Sequence, residues 1–329
     1  MAHKGFDEQM AALDALKGLE LDAEQKQFVK RMLGNRSNLL VAKAARLAGD
    51  GGLAELTPDL IAAIERSFID AVKTDSGCWA KNALAKALVK LEYRSKDVYL
   101  RGMRHHQLEP VWGGQEDTAG ALRSTCTHAL VDCPGISDAE LLTALLEPLT
   151  DSDKTVRIEA ARAIGQVGGV SAALLLRLRA LLGKDEPEVL GAVYSALLDL
   201  EGVQAIPLVA RYLEEGDDVA AEAAFALSEN RSQAALAALL ARLRAGADAW
   251  FGSVMLSAIA LTRLPEAMDY LIAQIARETR EAASAIEAIG RIAPNEELRA
   301  RVERAVEQAD SPRLRQAVRQ HLPAASDHS

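Results

Sequence analysis

The stretch Asp153-Lys154-Thr155-Val156-Arg157-Ile158-Glu159-Ala160-Ala161-Arg162-Ala163-Ile164-Gly165 decides how this chain is read. An Asp opens it, and an Asp oxygen can accept a hydrogen bond from an unpaired N–H of a helix's first turn. An amphipathic helix follows and ends on a small–apolar step, Ala163-Ile164, where the small residue lets a neighbouring helix approach closely. Asp185 to Leu198 and Asp217 to Leu227 repeat the pattern less completely. Extended along the chain, the starting residues are Asp75, Asp117, Asp153, Asp185, Asp217, Asp248, Thr279 and Asp310, at spacings of 42, 36, 32, 32, 31, 31 and 31. A start recurring every thirty-odd residues marks one repeated supersecondary unit.

The first seven starts each lead to a matching step: Ala87-Leu88, Ala129-Leu130, Ala163-Ile164, Ala196-Leu197, Ala226-Leu227, Ala260-Leu261 and Ala288-Ile289. A short turn follows, often with Gly, which supplies the positive φ that helix ends use. A second helix then returns, as in Ala172 to Leu182, Ile206 to Leu213, Ala234 to Leu243 and Ala267 to Ile275. Ser137 with Glu140, and Asp185 with Glu188, have capping-box spacing. Thr57-Pro58 and Ser311-Pro312 put Pro at a first helical position, where its missing N–H costs nothing. The expected fold is all-α: an α-solenoid of stacked antiparallel helix pairs, with no sheet. Residues 1–56 are expected to form a helical cap, and 57–150 irregular repeats with a loop inserted at 105–116. Regular repeats are expected over 151–322 and a disordered tail over 323–329.

Composition agrees with helices packed through small side chains. Aromatic residues are only 4%, and the formal net charge is -9. A diffuse acidic balance argues against non-specific binding to nucleic acid or anionic membrane. No apolar run approaches the length of a membrane span. The polar start, Met1 to Met10, has no signal-peptide core, and the three cysteines are an odd number in a long chain. Both point to a cytoplasmic protein with reduced thiols.

Asp153-x-x-Val156-Arg157-x-x-Ala160-Ala161-x-Ala163-Ile164-Gly165 resembles the HEAT repeat, in the bacterial form named after phycobilisome lyases. The resemblance is clear over the C-terminal half and looser from Thr57 to Asp151. It implies a right-handed superhelix whose second helices line a concave face. It is nearly silent on function, because the family includes scaffolds, adaptors, chromophore lyases and a metal-dependent hydroxylase. Those hydroxylases carry His-Glu dipeptides on several repeats, and this sequence has none.

One segment breaks the repeat: Arg101 to Asp117, with His105, His106, Glu109, Trp112, Glu116 and Asp117. Insertions in solenoids map to loops, often on the binding face. These six residues are therefore the candidate ligand or partner loop. In the competing structural reading Pro110 and Gly113-Gly114 make turns, Trp112 plugs a gap between helices, and the His pair ends a helix near its negative pole. Adjacent His side chains point apart on a helix, so no metal site is expected. Cys126, His128 and Cys133 fit no common zinc spacing; Cys126 reads as a core residue and Cys133, at a turn, as exposed.

The second helices carry a column of arginines, Arg179, Arg211 and Arg242, with Arg177 and Arg244 nearby. On the concave face implied by the resemblance they would suit an acidic protein or peptide. No catalytic constellation and no cofactor motif is found. The expected function is a non-catalytic protein–protein interaction scaffold. The alternative is a small-molecule or chromophore-handling enzyme using 101–117, and third comes nucleic-acid binding through the arginines.

Overall fold

A computed structural model describes residues 2–322; the tail expected over 323–329 lies outside the described residues. The chain is an all-α solenoid of antiparallel helix pairs, in two compact units divided between Val167 and Gly168. The first unit holds α1 (Ala2–Ala15), α2 (Ala23–Leu33), α3 (Asn38–Asp50), α4 (Thr57–Ser67), α5 (Ala71–Thr74), α6 (Trp79–Lys90) and α7 (Lys96–Met103). Two strands follow, β1 (Leu108–Val111) and β2 (Gly114–Asp117), then α8 (Gly120–Leu130), α9 (Asp138–Leu149) and α10 (Lys154–Val167). Helices α3, α6, α8 and α10 stack in one column, and α2, α4, α7 and α9 pack beside them.

The small–apolar step explains how closely the column packs. Gly49 of α3 faces Ala87 of α6, and a Cβ built on Gly49 would lie 2.9 Å from the Ala87 Cα. Backbone there cannot give way. Gly49→Leu is therefore expected to destabilise the first unit by about 3 kcal/mol, the upper range for overpacking, read as a lowered urea midpoint. An unchanged midpoint would show that the two helices do not touch at this point.

The second unit holds α11 (Gly169–Leu182), α12 (Pro187–Glu201), α13 (Ile206–Ala210) with a 3₁₀ turn at Arg211–Leu213, α14 (Asp218–Asn230) and α15 (Gln233–Arg244). It continues with α16 (Ala249–Leu261), α17 (Pro265–Ala276), α18 (Ala282–Arg291), α19 (Glu296–Ala309) and α20 (Pro312–His321). Helices α12, α14, α16, α18 and α20 form its central column. Helix α16 has no charged residue and buries eight residues, among them Phe251, Met255 and Ile259. That all-round apolar character belongs at the middle of a stack.

The ladder of starts marks the repeat, but its members do different jobs. Asp217 and Asp248 are side-chain N-caps, accepting from the N–H groups of Ala220 and Phe251 at 2.9 and 2.8 Å. Asp153 accepts from the Thr155 N–H at 2.8 Å. Asp185 bonds the Glu186 N–H and pairs with Arg179, and the N-cap of α12 is Glu186 rather than Asp185. Asp310 closes α19 in a left-handed conformation, and Thr279 precedes α18 without capping it. Ser137 and Glu140 form the expected capping box on α9, and Pro58 and Pro312 sit in first turns.

The expectation of no sheet needs one correction. Residues expected as a loop form a two-stranded antiparallel hairpin, with Leu108 opposite Asp117 and Val111 opposite Gly114. Trp112 and Gly113 make the turn, and Gly113 has the positive φ of 90° that glycine tolerates best. Four-residue strands are too short to show an alternation, and Pro110 argues against a strand anywhere but an edge.

Candidate functional site

The hairpin is fastened to the helices by buried charge. Glu109 is 8% exposed, and its carboxylate accepts four hydrogen bonds. The donors are Ser76 Oγ at 2.8 Å, the Gly77 N–H at 2.6 Å, Gln107 Nε2 at 2.6 Å and Thr118 Oγ1 at 2.8 Å. Burial pushes this carboxyl up, but the bonds from Gln107, Ser76, Thr118 and Gly77 together outweigh it and hold the group at about 2. The turn that Glu109 grips leads into Asp75 and Lys81, a fully buried ion pair at 2.9 Å. Asp75 also accepts from the N–H groups of Ala80 and Lys81 at 2.8 and 2.9 Å, so it works as a buried anchor for the start of α6.

The other end of the hairpin is tied to α8. Asp117 accepts from the N–H groups of Gln107 and Ala119, both at 3.0 Å, and from Arg123 Nη1 at 2.8 Å. It also bonds His106 Nδ1 at 2.7 Å. Burial opposes ionisation here too, but the bonds from Gln107, His106 and Ala119 and the charge of Arg123 bring Asp117 to about 2. Arg123, 1% exposed, reaches past Asp117 to Asp151 with a bidentate pair of 2.7 and 2.9 Å. One guanidinium thereby joins the hairpin, α8 and the turn before α10.

The six residues of the candidate loop therefore separate. His105, His106, Glu109 and Asp117 gather at the hairpin's base. His105 lies edge-on to Phe68 at 5.0 Å, and burial lowers its basicity. Glu116 is exposed. Trp112 fills no gap between helices: it is fully exposed at the turn, and Leu108 and Val111 are 56% and 45% exposed. Two-residue turns point outward, so the tip has no helix to pack on. Among the described residues no group of three or more His, Cys, Asp or Glu side chains is placed to hold a metal ion.

Cys78, Cys126 and Cys133 are all buried and unpaired. Cys133 departs from the expectation of exposure: its Sγ bonds the Ala129 carbonyl at 3.5 Å. Burial pushes the Cys78 thiol up to about 12 and raises those of Cys126 and Cys133, the opposite of an activated nucleophile.

The arginine column lies in the second unit and is mostly occupied. Arg177 pairs with Glu201 and Arg179 with Asp185. Arg242 spans the carbonyls of Leu213 and Gly246 at 2.8 and 2.5 Å. Arg211 and Arg244 are exposed. Beside these arginines is a feature that no motif marks in the sequence. Val170, Leu174, Leu178, Leu181 and Leu182 occupy one face of α11 and are 57–78% exposed. The sequence of α11, Gly169-Val-Ser-Ala-Ala-Leu-Leu-Leu-Arg-Leu-Arg-Ala-Leu-Leu182, is apolar nearly all round. That pattern ordinarily signals a fully buried helix, but only Ala172, Ala173, Leu176 and Ala180 are buried.

A family model described as HEAT repeats matches residues 142–228, a span that runs from within α9 into α14. The chain thus carries HEAT repeats over that span. No curated protein is similar to it in sequence. No helix among the described residues is long and apolar enough to cross a membrane.

Proposed function

We propose that this HEAT-repeat protein is a non-catalytic scaffold or adaptor that binds a protein or peptide on the exposed side of its second helices. The observation that carries this is the stripe on α11: five large aliphatic side chains, each more than half exposed, on one face of one helix. An apolar surface this continuous is costly on a free molecule and marks an interaction site. Arg177 and Arg179, held by Glu201 and Asp185, edge the stripe with oriented charge rather than with a free basic strip. Exposed Arg211 and Arg244 are the groups left to meet an acidic partner. Three unpaired, buried thiols suit a reducing, cytoplasmic setting. A small-molecule site at 101–117 is less well supported, because Glu109 and Asp117 spend their hydrogen bonds on the fold.

A photo-crosslinking residue at Leu178, expressed in the native cells, is expected to capture a discrete heterologous protein. The same residue at Arg162, exposed on α10, is expected not to. Equal, diffuse labelling at both positions would sink the scaffold reading, and capture of only a second copy would replace it with self-association.

A further inference from the structure

A second surface lies in the first unit, where α1, α3 and the start of α6 enclose a trough of about 370 Å³. Its apolar lining includes Met10, Leu39, Leu47 and Trp79. Trp79 and Leu39 are 54% and 43% exposed, although both are large and apolar. Trp79 is not loosely placed. Its ring lies against Gly77, where a Cβ would collide with the indole, and Gly77 takes a φ of 72°. The Gly77 N–H is in turn held by Glu109 at 2.6 Å. The hairpin carboxylate thus sets the position of an indole at the edge of an open trough.

The rim supplies the second observation. Five charged residues line the trough: Asp14, Lys17, Lys43, Arg46 and Asp50. Asp14 is taken by Lys43 and Asp50 by Lys90. Lys17 and Arg46 have no acidic partner among the described residues, and both are exposed. On a molecule of net charge -9, the unspent charge beside this apolar trough is positive. Leu39, Lys43, Arg46 and Asp50 run along α3 at i, i+4, i+7 and i+11, the line on which a second helix would lie.

We propose that this trough docks an acidic amphipathic helix of a partner protein, with a bulky apolar side chain against Trp79 and carboxylates toward Lys17 and Arg46. A second copy of this chain fits less well, because an isologous contact would set these cations against themselves. The proposal extends the protein-binding reading to another surface and does not depend on the α11 stripe.

The probe is a labelled 16-residue synthetic helix with Leu at i, i+4 and i+7 and Glu on its flanks, tested against the full chain by fluorescence anisotropy. A second peptide carries Lys in place of every Glu. The Glu peptide is expected to bind at least about tenfold tighter than the Lys peptide. Lys17→Glu with Arg46→Glu is expected to reverse that preference, and Trp79→Ala to weaken the Glu peptide about tenfold. The charge-reversed positions are exposed, and an unchanged circular dichroism spectrum verifies folding. Leu178→Asp is expected to leave binding unaltered. Equal affinity for both peptides, or a preference that survives charge reversal, would overturn the proposal. Loss of binding in Leu178→Asp would also overturn it, by moving the peptide to α11. Crosslinking at Leu178 would still stand in each case, so the two surfaces fail separately.

Discussion

Arg123→Met is expected to destabilise the first unit by about 3–5 kcal/mol, the cost of removing one partner from a buried charge cluster. The guanidinium is 1% exposed and serves Asp151 through two hydrogen bonds and Asp117 through one. It also donates to the His105 carbonyl at 3.1 Å. Its removal strips two largely buried carboxylates of their shared counter-charge; Asp117 keeps His106 and the Gln107 and Ala119 N–H groups, and Asp151 keeps the Asp153 N–H, but neither keeps its guanidinium partner. Arg123→Lys keeps the charge but not the fork, so it is expected to recover only part of the loss. Adding Asp151→Asn to Arg123→Met removes one stranded charge and is expected to restore stability relative to Arg123→Met alone. A repeat array unfolds in neighbouring blocks rather than all at once. Hydrogen exchange of the amides in α7 to α10 is therefore the measurement. Slow exchange retained there in Arg123→Met would show that the cluster contributes no net stability.

The contrast between what is legible in the sequence and what is not follows from how far apart the interacting residues lie. The repeat period is written locally: α12, α14, α16 and α18 each have an apolar face, a small–apolar step and a nearby Asp or Thr start. Even so, Asp217 and Asp185 look alike in sequence but behave differently, because one meets a free N–H and the other meets Arg179. The buried cluster is written non-locally. Arg123 and Asp151 are 28 residues apart, and Glu109 reaches Gly77 across 32. No spacing rule links such pairs before the fold does. His105, Glu109 and Asp117 stand out as chemically rich, and the structure gathers them, but around each other. Trp112 stands out by its size alone, which carries no information on whether anything packs against it. The α11 stripe misleads in the opposite sense: an all-apolar helix reads as core whether its outer face is covered by the same chain or by another.

Acidification is expected to undock the hairpin between about pH 4.5 and pH 2. Both Glu109 and Asp117 are held at about 2, below their ordinary carboxylate values. A carboxylate depressed by folding binds fewer protons in the folded than in the unfolded chain. Its stabilising contribution is complete above the unfolded value and is lost as pH falls through the folded one. For Glu109 alone the linkage amounts to roughly 3 kcal/mol. Asp117 adds to it but not independently, because both carboxylates draw on Gln107. The observable is Trp79, whose ring rests on Gly77 and so on the Glu109 carboxylate. Its emission is expected to shift as the Ser76–Gly77 turn is released, most cleanly in a chain with Trp112→Phe and Trp250→Phe. Glu109→Gln in that background removes the ionisable group and is expected to flatten the main part of the acid transition. A transition of unchanged midpoint and amplitude in that variant would assign acid sensitivity to some other carboxylate and refute the anchoring role of Glu109.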